Sequence, residues 1–415
     1  MGATSQRHGP DRLPERPIDE HCWELAPGLY RILLPLPWDV PFVNAYLVRA
    51  PGGWVLVDAG VGTPACLRAL GWALRAAGVP EAGLAAILLT HRHPDHAGDV
   101  VAVRQRWGGT VYVHPAELEL DRADPAVLEA WLAFTGMPAE VMEALLRRAE
   151  RMPLPPDAVP YPFLAPLAEG PGLPVAALPV AGLTFEVVYV PGHSPGHVML
   201  RVAETGWVFT GDHVLPRAGI NVWANPAGPA DPMGAYLANL EAVARLDAAW
   251  GLEAPDEAAR AAGAKAPACL ARGEGGPGDW REGAAGTEGS AGPGPGPRAA
   301  GPVLPGHGLP WCGPMMPHAA ALAGWHRRAA LALRDRLPDE PGPTAFEIVA
   351  ARRPDDARQK PHRLRGAVAE TLAFLLWLEG EGLAGRRGDG PARWYRLPGR
   401  REGGRSRDIP RTSAE

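Results

Sequence analysis

The chain has 415 residues, 46% of them hydrophobic, and a formal net charge of −5, which gives room for a large globular domain and a smaller companion. Its four cysteines, Cys22, Cys66, Cys269 and Cys312, are scattered without a CxxC pair, which argues against a disulfide framework and against a thiolate zinc site. The N-terminus lacks an apolar signal region and no apolar run nears the roughly 18 residues that span a bilayer, so a cytoplasmic protein without membrane contact is expected.

Residues 1–20 read as a disordered lead-in. Short β-type runs follow, "GLYRILLPL", "VNAYLVRA" and "GWVLVDAG", divided by turn residues. "TPACLRALGWALRAAG" (63–78) carries apolar residues at helical spacing and ends on glycine. "LAAILLT" (84–90) is a buried strand, "DVVAVRQRWG" a short helix, and "TVYVH" (110–114) a strand. From about 115 to 152 two amphipathic helices hinge at Gly136 and Pro138. Trp131, Phe134, Met137 and Met142 there either shape a substrate pocket or serve ordinary helix packing.

Strands return in "LTFEVVYVPGH", "VMLRVAE" and "WVFTGDHVL". The helix of 231–248 then opens with Asp231 at its N-cap position. The stretch 251–302, with "EGAAGTEGSAGPGPGPRAAGP", cannot bury enough apolar surface to offset its ordering entropy and is expected to be a disordered insertion. Beyond "PVLPGHGLPW", residues 318–398 read as three helices and a hairpin turning at Asp389-Gly390, a winged-helix-like pattern; 399–415 read as a disordered tail. Charge is divided unevenly. Residues 1–322 hold 22 Lys+Arg against 33 Asp+Glu, and residues 323–415 hold 19 against 13.

The chemistry concentrates in "THRHPDH" (90–96). His91 and His93 are two residues apart at the end of an extended segment, so both project the same way, and Asp95 and His96 follow once Pro94 has turned the chain. "VPGHSPGH" supplies His193, "FTGDHV" supplies Asp212, and "LPGHG" supplies His307. Asp58 in "VLVDAG" stands at a strand end, placed to hydrogen-bond and orient a ligand. Each piece is an apolar strand, a tight turn, then His or Asp. Imidazoles and carboxylates in this mixture suit zinc, with iron or manganese as substitutes. A structural zinc site would be Cys-rich and closed, whereas this set leaves positions open for water and substrate.

The ordered motifs "THRHPDH", "PGHSPGH", "TGDH" and "PGHG", over residues from about 25 to 320, resemble those of the metallo-β-lactamase fold superfamily. The resemblance implies an α/β, four-layer αββα sandwich spanning 21–317 with a C-terminal winged-helix-like domain, and two divalent cations. It further implies that His91, His93 and His193 hold the first metal, that Asp95, His96 and His307 hold the second, and that Asp212 bridges. His193 rather than His197 takes the ligand place, and His114, His197 and His213 are read as nearby polar residues. Two such cations would bring the pKa of a shared water toward neutrality, with Asp95 orienting it and accepting its proton.

The expected function is hydrolysis of a small-molecule ester, thioester or lactone, in the manner of glyoxalase II. The alternative, suggested by a tail similar to that of β-lactamase-like endoribonucleases, is phosphodiester cleavage in single-stranded nucleic acid. Arg363, Arg365, Arg386, Arg387 and Arg393 would then make phosphate contacts. A third reading makes the tail a protein-interaction or homodimer module, since "LAFLLWLEGEGL" is apolar enough to pack on a neighbour.

Overall fold

The computed structural model describes residues 21–38, 40–98, 100–119, 125–147, 154–162, 175–216, 220–252, 301–340, 342–359, 364–388 and 390–398. The lead-in 1–20, nearly all of the low-complexity stretch, the hairpin residue Asp389 and the tail 399–415 lie outside the described residues.

Two sheets form the middle of the molecule. The first runs β1(Cys22–Ala26), β2(Leu29–Pro35), β3(Phe42–Ala50), β4(Gly53–Val57), β5(Leu84–Leu88), β6(Thr110–Val113) and β7(Val159–Pro160), in that order. Its first four strands are an antiparallel meander, and β4, β5, β6 and β7 are parallel. The second sheet has β12(Val303–Pro305), β11(Val208–Gly211), β10(Val198–Val202), β9(Leu183–Tyr189) and β8(Val175–Val180) side by side. In it β11 and β12 are parallel, so both strands deliver their carboxyl ends to one edge of the sandwich.

Alternation along the strands divides the core. Tyr46, Val48, Val55, Val57 and Leu88 face inward and pack with Phe185, Val187, Leu200, Phe209 and Leu304 of the second sheet. Their neighbours Leu47, Leu56 and Ile87 face outward beneath α1(Pro64–Ala76) and α3(Val100–Trp107), where Leu70, Leu74, Val103 and Trp107 cover them. With both faces buried, the strands read as near-continuous apolar runs, which is why they were legible as strands. Two short helices, α2(Pro94–Ala97) and α4(Pro115–Glu119), follow β5 and β6.

The outer face of the second sheet, with Val188, Met199, Val208 and Val303, is covered by α7(Pro232–Trp250) and α8(Met316–Arg334). Helix α7 opens as expected, with Asp231 accepting from the Gly234 N–H at 2.8 Å. The layers are therefore helix, sheet, sheet, helix. After α8 come α9(Ala345–Arg352), α10(Pro354–Gln359) and α11(Arg365–Gly380), then the hairpin β13(Ala384–Arg387) and β14(Arg393–Arg396). This C-terminal segment shares one apolar cluster with α7 and α8, into which Leu372, Leu375 and Trp394 are buried.

Helices α5(Pro125–Phe134) and α6(Ala139–Arg147) dock on that segment. The Thr135 carbonyl accepts from Phe346 N–H, and the Phe134 carbonyl from Ala392 N–H. Met137 is buried, and Trp131, Phe134 and Met142 pack around the same cluster, so of the two roles weighed for them the packing role is visible here. The scattered cysteines argue against a disulfide framework, and one of them departs from that expectation. Cys22 and Cys66 are free, but Cys312 is disulfide-bonded.

Candidate metal centre

The site lies where strands end. Asp58 follows β4, His91 and His93 follow β5, His193 follows β9, Asp212 follows β11 and His307 follows β12. Asp95 and His96 ride on α2, whose first residue Pro94 fixes the turn after His93.

One group of ligand atoms comprises His91, His93 and His193. His91 Nε2 lies 3.0 Å from His93 Nδ1 and 3.2 Å from His193 Nε2. Nitrogens bound tetrahedrally at the usual zinc distance would be roughly 3.3 Å apart, so this spacing fits one shared ion. A second group comprises Asp95, His96 and His307, with His307 Nε2 3.2 Å from Asp95 Oδ2. Asp212 spans the two. Its Oδ1 lies 3.5 Å from His96 Nε2, and its Oδ2 lies 3.5 Å from His193 Nε2 and 3.6 Å from His307 Nε2. His96 Nε2 and Asp212 Oδ1 are buried and make no hydrogen bond. Two buried polar atoms left unpaired 3.5 Å apart are what a cation held by both would satisfy.

For His91, His96, His193 and His307 the opposite ring nitrogen is occupied, which fixes the orientation of the imidazole. His193 Nδ1 donates to the Asn221 carbonyl at 2.7 Å, and His307 Nδ1 donates to the Phe42 carbonyl at 3.1 Å. His96 Nδ1 is 2.8 Å from Asp58 Oδ2. Asp58 also accepts from Thr90, through the backbone N–H at 2.8 Å and the hydroxyl at 2.9 Å, and Thr90 Oγ1 is 3.1 Å from His91 Nδ1. Asp58 thus reaches a histidine of each group. It does so from a left-handed backbone, φ +60°, a strained conformation for a non-glycine residue that persists only where its surroundings hold it.

Electrostatics divide the histidines. Burial, then the neighbouring imidazoles, hold His91 well below the ordinary histidine range, and burial pushes His93 down to about 3. Neutral imidazole is the ligating form. Burial opposes charge on His96 too, yet Asp212, Asp58 and Asp95 hold it well above the ordinary value. A place where carboxylates outweigh burial to retain a proton is a place of strongly negative potential, suited equally to a metal cation.

Every residue singled out for the centre is brought to it: His91, His93, Asp95, His96, His193, Asp212 and His307 fall in candidate ligand groups or beside them, and Asp58 stands behind. His114, His197 and His213 fall in none among the described residues. His197 Nε2 accepts from Asp212 N–H at 3.0 Å, and His114 stacks on Tyr189. The described arginines of the tail have their partners elsewhere or stand exposed. Arg363 lies outside the described residues and Arg365 is exposed at the start of α11.

Other supporting residues had no signal in the motifs. Asn44 Nδ2 donates to the Pro305 and Gly308 carbonyls at 2.8 and 2.9 Å, Arg31 donates to Asn44 and Gly308, and Tyr46 hydroxyl donates to Pro305. Together they fix the loop of His307. Gly306 in that loop cannot carry a side chain, because a Cβ would stand 2.3 Å from Asp212 Oδ1. Across the site, Glu117 of α4 ties the loop of His193 to that of His91. Asn44 inside the apolar run "VNAYLV" and Arg31 inside "GLYRILLPL" are the ones that the pattern could have flagged.

Comparison with known proteins reaches most of these residues, from Asn44 to Asp212, through a family match. The Metallo-beta-lactamase superfamily pattern matches residues 38–250, just over half of the chain. The chain belongs to the metallo-beta-lactamase superfamily. It is 35% identical over 144 residues to a probable metallo-hydrolase of Bacillus subtilis, YqgX, a match covering 34% of this chain and 56% of that one. It is 29% identical over 148 residues to the hydroxyacylglutathione hydrolase GloC of Haemophilus influenzae, covering 36% and 58%. The chain therefore spans little more than half the length of these curated relatives. Among solved structures, a metallo-beta-lactamase family protein of Thermus thermophilus superposes with a TM-score of 0.62 at 27% identity, covering 90% of this chain and all of that one. As for membranes, no helix among the described residues is long and apolar enough to cross one.

Proposed function

We propose that this chain is a dinuclear metal-dependent hydrolase of small esters, thioesters or lactones, with zinc as the expected ion and iron or manganese as substitutes. The observation that carries it is the convergence of three imidazoles, with His93 Nδ1 and His193 Nε2 both within 3.2 Å of His91 Nε2, beside the unpaired His96 Nε2 and Asp212 Oδ1. His91 through Nε2, His93 through Nδ1 and His193 through Nε2 would hold one ion. His96, His307 and Asp95 would hold the other, and Asp212 would lie between.

Two divalent ions there would lower the pKa of a water and polarise the electrophilic oxygen of the substrate. The protein's part is to place and relay. Asp95 is the most open of the three carboxylates, its side chain 14% exposed against 9% for Asp212 and 4% for Asp58. Burial opposes its charge, but His96 and His307 hold its carboxyl below the ordinary range, so it is ionised and able to accept a proton. As water adds to the acyl carbon, its proton passes to the Asp95 carboxylate. The bond to the leaving oxygen or sulfur then breaks, and the same proton goes to that atom.

A small substrate is favoured over nucleic acid by how the tail spends its arginines. Arg386 pairs with Glu379 at 3.1 Å and lies over the rings of Phe134 and Trp394. Arg393 bonds the Gly342 carbonyl and Glu347, and Arg387 lies over Tyr395. Three of the five arginines thus have partners within the chain. The likeness to a protein named hydroxyacylglutathione hydrolase also supports a thioester.

The test is to measure bound metal in protein purified without chelator, then turnover of an acyl-glutathione thioester, bis-p-nitrophenyl phosphate and a labelled single-stranded RNA. Thioester or ester turnover with near two equivalents of metal is expected. RNA cleavage alone would overturn the substrate class, and less than about one equivalent would overturn the dinuclear centre. His93→Ala is expected to abolish turnover with the fold retained.

A further inference from the structure

Between the histidine cluster and helix α11 runs the segment 220–224, which touches both. The Asn221 carbonyl accepts from His193 Nδ1 at 2.7 Å. Two residues on, the Trp223 ring lies 5.1 Å from that of His93, tilted by 52°. Next, Ala224 donates its N–H to the Ala369 carbonyl of α11 at 3.1 Å. Val222 and Ala224 are buried in the same apolar cluster as Leu364, Val368 and Leu372.

Gly366, in the first turn of α11, fits against Trp223. A Cβ at that position would stand 3.3 Å from Cζ2 of the indole and 3.6 Å from Cε2, so any side chain there must push the ring aside. The indole Nε1 is buried and makes no hydrogen bond among the described residues. The ring is therefore held by packing rather than by a polar anchor, and what it packs on includes His93 and the helix. An imidazole ligand works only if its ring is held at the right angle, and groups behind the ligands usually do this. Here the backing of His193 and of His93 comes from one short segment whose own footing is α11.

We propose that α11 is a positioning element for the histidine cluster, acting through Trp223 on His93 and through the Asn221 carbonyl on His193. The C-terminal segment then helps to build the metal centre. This rests on the metal-centre reading above, and the experiment separates the two.

The experiment loads the full chain with Co²⁺ and compares wild type, Gly366→Ala, Gly366→Leu, Trp223→Ala and the Trp223→Ala/Gly366→Leu double variant. The readouts are the visible absorption bands of the bound cobalt and the rate of its loss to a chelator. Gly366→Leu is expected to shift the bands and speed cobalt loss by about tenfold, with Gly366→Ala intermediate. In the Trp223→Ala background the same leucine should add little, because the ring it displaces is gone. If Gly366→Leu does not fold, Gly366→Ala carries the comparison. Wild-type bands and retention in the folded Gly366 variants would overturn the proposal, as would a leucine effect equally large without the indole. Failure of the wild-type protein to take up cobalt would instead overturn the metal centre itself.

Discussion

The Ser194 hydroxyl donates to Glu117 Oε1 at 2.5 Å, joining the loop of His193 to a helix that follows a different sheet strand. The same oxygen accepts from the Gly196 N–H at 2.7 Å, and the Glu117 carbonyl accepts from Arg92, which sits between His91 and His93, at 2.7 Å. One residue thereby spaces the two loops that supply the first group of ligands. Burial raises its carboxyl above the ordinary range against the pull of Ser194 and Gly196, so the contact is made in a dry environment where its loss is costly. Glu117→Ala is expected to lower metal retention by about 10–100-fold, measured by dialysis against graded chelator. Glu117→Gln, which keeps an acceptor, should lose less. Equal retention in wild type and the alanine variant would show that the loops hold their spacing without it.

On the far side, Asn44 secures His307. Its amide donates to two carbonyls of the His307 loop and its oxygen accepts from Arg31 Nε at 2.9 Å. Asn44→Ala takes one of two donors from each carbonyl, which keep Tyr46 and Arg31, and leaves Arg31 Nε unpaired at about 1–3 kcal/mol, so thermal stability should fall by a few degrees. The sharper expectation is selective. The group of Asp95, His96 and His307 should weaken while that of His91, His93 and His193 stays, taking bound metal from two equivalents toward one. Equal loss of both ions would contradict the division into two groups.

What could be read in the sequence was whatever local spacing encodes. His91 and His93 stand two apart at a strand end, and "PGHS", "TGDH" and "PGHG" repeat one local form, so the candidate ligand set could be picked out. The apolar runs gave most strands and helices because both faces of each sheet are buried. β8 was missed, since its "VAALPV" carries a proline and two alanines where a strand signal needs branched residues. Glu117 was missed for another reason. Its partner Ser194 is 77 residues away, and no spacing rule reaches that far. Trp223 and Gly366 likewise meet only through the fold.

Glu370 of α11 predicts a pH dependence remote from the metal. Burial pushes its carboxyl up to about 7, with Arg353 pulling the other way. The folded state thus prefers the protonated acid more than the unfolded chain does. Its contribution is fully present below the unfolded value near 4.5, and it is lost as pH rises through about 7. The loss amounts to at most about 3 kcal/mol. Denaturant unfolding at about pH 5 and about pH 8 should therefore show a fall in wild type that Glu370→Gln largely removes. An identical fall in the glutamine variant would assign the dependence to other groups.

Trp394 tests whether the C-terminal segment is a separate folding unit. It is fully buried at the hairpin, in the apolar cluster that also holds Leu240 of α7, Leu322 of α8 and Met137 beyond α5. The hairpin backbone is tied in as well, with Ala392 N–H donating to the Phe134 carbonyl and Trp394 N–H to that of Pro343. A cavity left by Trp394→Ala should cost about 3–5 kcal/mol. Because one cluster spans both parts, that cost should lower a single unfolding transition, seen at the same midpoint by far-UV circular dichroism and by release of bound metal. If the variant instead melts in two steps, with metal retained through the first, the C-terminal segment folds as an independent domain.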